Sequence, residues 1–255
     1  MSLLVELIPA LRDNYIYLLR DQDTEKTAVV DPSLAAPVVQ ALSAHGWRLD
    51  YILNTHHHFD HTGGNLELKN SFGATVVGPR ADRDRIPGID VDLADDEEFH
   101  FGSRTARVIE IPGHTSGHIA FWFKADAALF CGDTLFALGC GRMFEGTPEQ
   151  MWASLSKLAA LPKPTRIYCG HEYTEANARF ALTLEPGNRP LRERADGVAK
   201  LRAQGLPTLP STLGEELLTN PFLRPQSPEI QASVGLTGQS AVAVFAEVRR
   251  LKDQF

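Results

Sequence analysis

The sequence predicts an α/β sandwich followed by a small α-helical domain. Three observations predict it. Through the first two thirds of the chain, short runs rich in β-forming residues alternate with helical patterns. From Thr174 onward the pattern is helical, with proline-rich loops between segments. A length of 255 residues, with 43% hydrophobic and 22% charged content, supplies a core large enough for a main domain and a smaller companion.

In chain order, YIYLL (15–19) and TAVVD (27–31) read as strands, the second stopping at Pro32. Residues 35–45 read as a helix, and YILNT (51–55) as a buried strand. GNLELKNSFG (64–73) reads as a helix ended by its glycine. ATVVG, EFHFG, ARVIEIP, HIAFWF and AALFCG follow as strands. EQMWASLSKLAAL (149–161) has helical apolar spacing with Pro148 near its start, and RIYCG (166–170) is the last strand expected. EANARFALTL, RPLRERADGVAKLRAQG and AVAVFAEVRRLKDQF supply the helices of the tail. The boundary falls near Tyr173, giving domains of residues 1–173 and 174–255. No internal repeat or low-complexity tract interrupts them.

Lys and Arg number 25 against 32 Asp and Glu, a formal charge of −7, which argues against a nucleic-acid partner but leaves room for a local basic patch. Cys131, Cys140 and Cys169 are an odd number without a CxxC pair, which fits a reducing compartment. MSLLVELIPALRDNY meets acid and proline too early for a secretion signal. No apolar run approaches the ~20 residues of a membrane helix. The expectation is a soluble, cytoplasmic monomer that engages neither nucleic acid nor membrane.

The polar residues that carry chemistry follow strands. THHHFDH (55–61) follows YILNT and holds four of the nine histidines. Gly113-His114 follows ARVIEIP, Asp133 follows AALFCG, and His171 follows RIYCG. Loops on a rigid sheet are where binding groups sit. Imidazole and carboxylate without thiolate suit zinc, iron or manganese. His56, His58, His61, His114, His171, Asp60 and Asp133 suffice for two sites sharing a carboxylate, and two ions ~3.5–4 Å apart can clamp a hydroxide. A partly extended turn would aim His56 and His58 at one point, and Asp60 with His61 at a neighbouring one. By the same alternation His57 points away. Surface solvation explains a lone histidine better than it explains this run. His118, at the start of an apolar strand, reads as structural or supporting, and His45 and His100 as surface residues. Asp31 reads first as a turn residue before Pro32, with a supporting role as the alternative. Cys131 reads as a small core residue.

THHHFDH resembles the HxHxDH signature of the metallo-β-lactamase superfamily, and GHTSGH, GDTLF and GHEYT extend the likeness. With NYIYLL, GCGRMFEGT (139–147), NPFLR (220–224) and VRRLKDQF, the chain resembles the glyoxalase II, or hydroxyacylglutathione hydrolase, family over nearly its full length. HxHxDH alone indicates the superfamily; GHEYT, GCGR and RRLKDQF are the specific pieces. The resemblance implies a four-layer αββα sandwich with a C-terminal helical domain. It implies two divalent ions, zinc ahead of iron or manganese. His56, His58 and His114 would hold one, Asp60, His61 and His171 the other, and Asp133 would bridge them, with Asp60 also orienting the hydroxide. The implied reaction is hydrolysis of S-D-lactoylglutathione to D-lactate and glutathione. Arg249 and Lys252, i and i+3 on the last helix, match positions that hold the glycine carboxylate; alone they would read as a solvated helix face. Arg142 matches a basic substrate-side position and Tyr173 a tyrosine that hydrogen-bonds the peptide part. Phe144 departs from a tyrosine found in some members, which removes a hydrogen bond of about 1 kcal/mol. The rival readings are a β-lactamase, a persulfide dioxygenase, a nuclease, and an inactive metal-binding protein of the same fold.

Overall fold

Every strand read between residues 15 and 132 forms in the computed structural model, which describes residues 3–255. These divide into two compact units: one runs to Ile111 and resumes over Thr115–Gly132, and the other comprises Pro112–His114 and Asp133–Phe255.

In the first unit, six strands lie side by side in sequence order: β1 (Leu3–Ala10), β2 (Asn14–Asp21), β3 (Thr27–Val30), β4 (Tyr51–Leu53), β5 (Thr75–Pro79) and β6 (Val91–Leu93). β1, β2 and β3 are antiparallel neighbours, and β3 through β6 run parallel. Parallel neighbours need crossovers. α1 (Ala35–His45) crosses from β3 to β4, and α2 (Phe59–Thr62) with α3 (Asn65–Phe72) from β4 to β5. Val38 and Leu42 of α1 and Leu68 of α3 bury against Ile16, Leu18, Val29, Ile52 and Val76 of the sheet. Glycines end both longer helices in the left-handed conformation, Gly46 at φ 68° and Gly73 at φ 69°.

A second, antiparallel sheet meanders through β7 (Glu98–Phe101), β8 (Arg104–Glu110), β9 (Ile119–Phe123) and β10 (Ala128–Gly132). β9 and β10 are buried at every residue, which explains their unbroken apolar runs. Aromatic rings join the two sheets: Tyr17 meets Phe130 edge-on at 5.6 Å, and Tyr51 meets Phe99 at 5.3 Å. The unit is thus layered as helices, mixed sheet and antiparallel sheet.

The second unit opens with a two-stranded ribbon, β11 (Leu135–Phe136) with β12 (Gly139–Cys140). α4 (Pro148–Ala159) starts at a capping box between Thr147 and Gln150. β13 (Arg166–Cys169) pairs with β14 (Ser211–Thr212), so RIYCG is not the last strand; β14 is too short to carry a pattern. The tail is helical: α5 (Thr174–Leu184), α6 (Arg189–Ala203), α7 (Leu213–Thr219), α8 (Pro228–Ser233) and α9 (Ala241–Gln254). Leu138 packs on Ala178 and Ala181 of α5 and Leu191 of α6. Trp152 of α4 meets Phe245 of α9 at 6.1 Å. Among the described residues, no helix is long and apolar enough to cross a membrane.

Candidate functional site

In the first unit, β4 runs directly into the histidine run. Thr55 and His56 continue from the strand, His58 caps α2, and Asp60 and His61 lie within that helix. The run is therefore half extended and half helical, and the partly extended turn expected over Asp60 and His61 is corrected to one helical turn. His61 N–H donates to His58 O at 2.9 Å and Gly63 N–H to Phe59 O at 2.8 Å, which closes it.

His56 Nε2 lies 3.2 Å from His58 Nδ1, and the His56 and His61 rings are 4.2 Å apart. His61 Nε2 is 3.6 Å from Asp60 Oδ2. Two donors about 2.0–2.1 Å from a tetrahedral ion lie about 3.3 Å apart, so this nitrogen pair has the spacing of zinc ligands. His56 and His61 are buried, and the Asp60 side chain is partly exposed.

Asp31 braces the run. Its Oδ1 accepts from Thr55 N–H at 2.8 Å and its Oδ2 from the Thr55 hydroxyl at 2.7 Å. His61 Nδ1 lies 3.1 Å from the same Oδ2. A proton on Nδ1 donates to the carboxylate and leaves Nε2 unprotonated, the form that binds metal. Asp31 is more than a turn residue: at φ 49° its backbone turns the chain while its carboxylate orients a histidine. His118, fully buried, stacks on His56 at 4.5 Å and 15°, the supporting role read from the sequence. His57 is held elsewhere, its Nδ1 2.8 Å from Asp82 Oδ2. Gly132 has φ 45°, and a Cβ there would meet Thr55 Oγ1 at 2.2 Å, so backbone conformation and space both require glycine.

In the second unit, His114 and His171 converge on Asp133. Asp133 Oδ2 is 3.4 Å from His114 Nε2 and 3.2 Å from His171 Nε2, again the spacing of ligands around one ion. All three residues are buried. His114 Nδ1 donates to Arg142 O at 2.8 Å, which turns Nε2 to the carboxylate. Tyr173 stacks flat on His171 at 4.8 Å, and exposed Phe144 meets the His114 ring at 5.2 Å.

The residues expected to bind substrate also gather here. Arg249 is 4% exposed, so a solvated helix face does not describe it. It donates to Cys140 O at 2.8 Å and to Asp253 Oδ1 at 2.8 Å, and lies 5.1 Å over the Phe222 ring. Arg142 Nε is 3.7 Å from the same Asp253 Oδ1. The Lys252 ammonium lies over the rings of Phe180 and Phe255. Burial, then the charges of Arg249, Arg179 and Arg142, push Lys252 below the usual lysine pKa, with Asp253 offsetting part of the effect. Sequence reasoning missed Asp253, although its i+4 spacing from Arg249 was a signal.

All three cysteines are buried, and none is in a disulfide. Burial pushes the Cys140 thiol up to about 11 and Cys169 to about 12, so neither offers a thiolate near neutral pH. The donors are imidazoles and carboxylates, a set that binds divalent metal.

Residues 10–171 match the metallo-beta-lactamase superfamily, and residues 172–255 match the hydroxyacylglutathione hydrolase C-terminus. A hydroxyacylglutathione hydrolase of Methylococcus capsulatus is 64% identical over 248 residues, 97% of each chain. One of Rhodospirillum rubrum is 53% identical over 251 residues, 98% of each. The crystal structure of TTHA1623 in a di-iron-bound form is 26% identical with a TM-score of 0.60, covering 85% of this chain and 98% of that one. With matches spanning both parts of the chain, it belongs to the metallo-β-lactamase superfamily and, within it, to the hydroxyacylglutathione hydrolases.

Proposed function

We propose that this enzyme hydrolyses S-(2-hydroxyacyl)glutathione thioesters, chiefly S-D-lactoylglutathione, to the 2-hydroxy acid and glutathione, as in methylglyoxal detoxification. The observation that carries the reading is the gathering of Arg142, Arg249 and Lys252 around Asp253 in a segment that matches the hydroxyacylglutathione hydrolase C-terminus. An acidic protein needs such a local cationic group to hold an anionic peptide.

Residues 1–173 then act as the metal-binding catalytic domain and 174–255 as the glutathione-binding domain. His56, His58 and His114 would hold one divalent ion and Asp60, His61 and His171 the other, with Asp133 as a donor common to both sets. These donors suit zinc, iron or manganese, and the family resemblance puts zinc first. Divalent ions held there would supply Lewis acidity, which lowers the pKa of water and polarises a carbonyl.

The protein's own groups do the rest. Arg249 and Lys252 neutralise the glycine carboxylate of glutathione, and Arg142 adds charge at the rim. The Tyr173 hydroxyl hydrogen-bonds the peptide, its ring kept in plane by the stack on His171. Phe144 offers apolar surface only. Asp60 and Asp133 accept hydrogen bonds from the attacking water and so orient it. The departing thiolate is a good leaving group and needs no acid. Purified protein given S-D-lactoylglutathione should release glutathione thiol, and a chelator should abolish the release. No chelator-sensitive release overturns the reading.

A further inference from the structure

We propose that Asn14 is a positioning residue for Asp60 and sets the occupancy of the metal position that Asp60 serves. The inference rests on the reading of Asp60 as a ligand. Asn14 opens β2 and is 6% exposed. Its Nδ2 donates to Asp60 O at 3.0 Å and to Asp60 Oδ2 at 3.1 Å. One amide thus grips both the backbone and the carboxylate of the same residue.

The grip matters because α2 is a single turn. One turn fixes several residues for little hydrogen bonding and does not hold itself. Two of its carbonyls are secured from outside. Asn14 takes that of Asp60, and Asn54 Nδ2 takes that of His61 at 3.1 Å. Asn54 is locked in turn by Asn65, whose Nδ2 donates to Asn54 Oδ1 at 2.7 Å. Two carboxamides therefore fix the pitch of the turn. Asn14 alone of the two also fixes the rotation of a side chain that would bind metal.

The residue type suits the task. A carboxamide donates hydrogen bonds without carrying charge. A lysine or arginine there would set a cation beside a cation site and weaken binding. An apolar residue would take a donor away from the partly exposed Asp60 carboxylate and loosen its orientation.

The test measures metal binding, with thioesterase activity left aside. Holoenzyme is titrated with a competing coloured chelator, using Asn14→Leu, which keeps bulk without a donor, Asn14→Ala, Asp60→Ala and the Asn14→Leu/Asp60→Ala pair. Loss of an outer-shell partner weakens metal affinity by about 10–100-fold. The expected result is that loss at one of two positions in both Asn14 variants. Asp60→Ala should weaken the same position, and the double variant should lose nothing further, because the two act as a unit. Wild-type affinity at both positions in Asn14→Leu overturns the proposal. So does equal weakening of both positions, which would mark a purely structural role, and so does full additivity in the double variant. Asp60→Ala that binds both ions normally overturns the ligand assignment itself, and this inference with it.

Discussion

Arg249 is a guanidinium almost sealed from solvent whose Nε has no hydrogen-bond partner among the described residues. An unmet buried donor costs about 1–3 kcal/mol, more when charged, so the side chain gains from an incoming acceptor. Arg249→Ala should raise KM for the glutathione thioester at least about tenfold and lower kcat much less. Steady-state kinetics would check this; the reverse pattern would place Arg249 in the chemistry or in folding. Lys252 gives a pH prediction. Its protonated form is disfavoured in the fold, so its pKa lies below 10.5. As pH rises through that lowered value the ammonium loses its proton and its hold on the carboxylate. KM should therefore climb at a pH below 10.5, and Lys252→Arg should remove the climb. For stability, the unfolded chain keeps this proton longer, so folding is favoured as pH rises between the lowered value and 10.5. At this scale residue types are legible in the sequence: the clustered histidines and aspartates mark candidate ligands by their chemistry. The sequence is a poor guide to their supports. Asp31 and Asn14 lie 24 and 46 residues from the groups they brace, and no local pattern marks such pairs.

Among the elements, the loops that follow β4 and β8 are tied by side chains from a third stretch. Asp82 is fully buried; it faces His57 at 2.8 Å and is gripped by Arg85, which also donates to Ser116 Oγ at 2.9 Å. Gly117 sits so close that a Cβ would fall 2.1 Å from Asp82 Oδ1. One carboxylate thus touches THHHFDH and GHTSGH together. Asp82 is sealed but Arg85 keeps access to water, so Asp82→Ala, which removes the shared acceptor, should cost about 1–3 kcal/mol, read as a shift of the urea midpoint at constant m. Element boundaries were legible where periodicity ran long: α1, α3 and α9 lie close to where their spacing put them. α2 was not legible, because a single turn depends on tertiary bonds rather than pattern. α7 carried a readable T-x-x-E capping box at Thr212 and Glu215 that the apolar spacing obscured.

Across the whole molecule, composition changes near Tyr173, whereas compactness divides the chain after Gly132. The difference has a polar cause. Asn177 Nδ2 donates to Ala137 O, Asn220 Nδ2 to Phe136 O and Gly139 O, and Leu138 N–H to Glu216 Oε2. Tail residues thereby gather the stretch after Asp133, and no change in composition announces such bonds. In the first unit a buried Asp21 does comparable work. Burial alone would raise its pKa. Bonds from the Thr24 hydroxyl, the Ser103 and Asp23 N–H groups and the Ser103 hydroxyl outweigh burial and hold the carboxyl well below the usual range. Arg104 reaches Asp21 while also pairing with Asp23 and Asp126. A lowered folded pKa contributes stability above the ordinary carboxylate value of 3.8 and loses it as pH falls below that value. Denaturant midpoints should drop steeply over that acid range, and Asp21→Asn should flatten the drop.

Asp253 has one further consequence. By pairing with Arg142 and Arg249 it offsets part of their charge, so on the proposed reading it would act as a built-in competitor, and stray chloride or phosphate would meet a weakened cationic field. A ligand would have to outbid a tethered carboxylate, and one that brings a thioester and a peptide along with its own carboxylate would have the extra contacts to do so. On that reading such a surface would filter small anions before any chemistry begins.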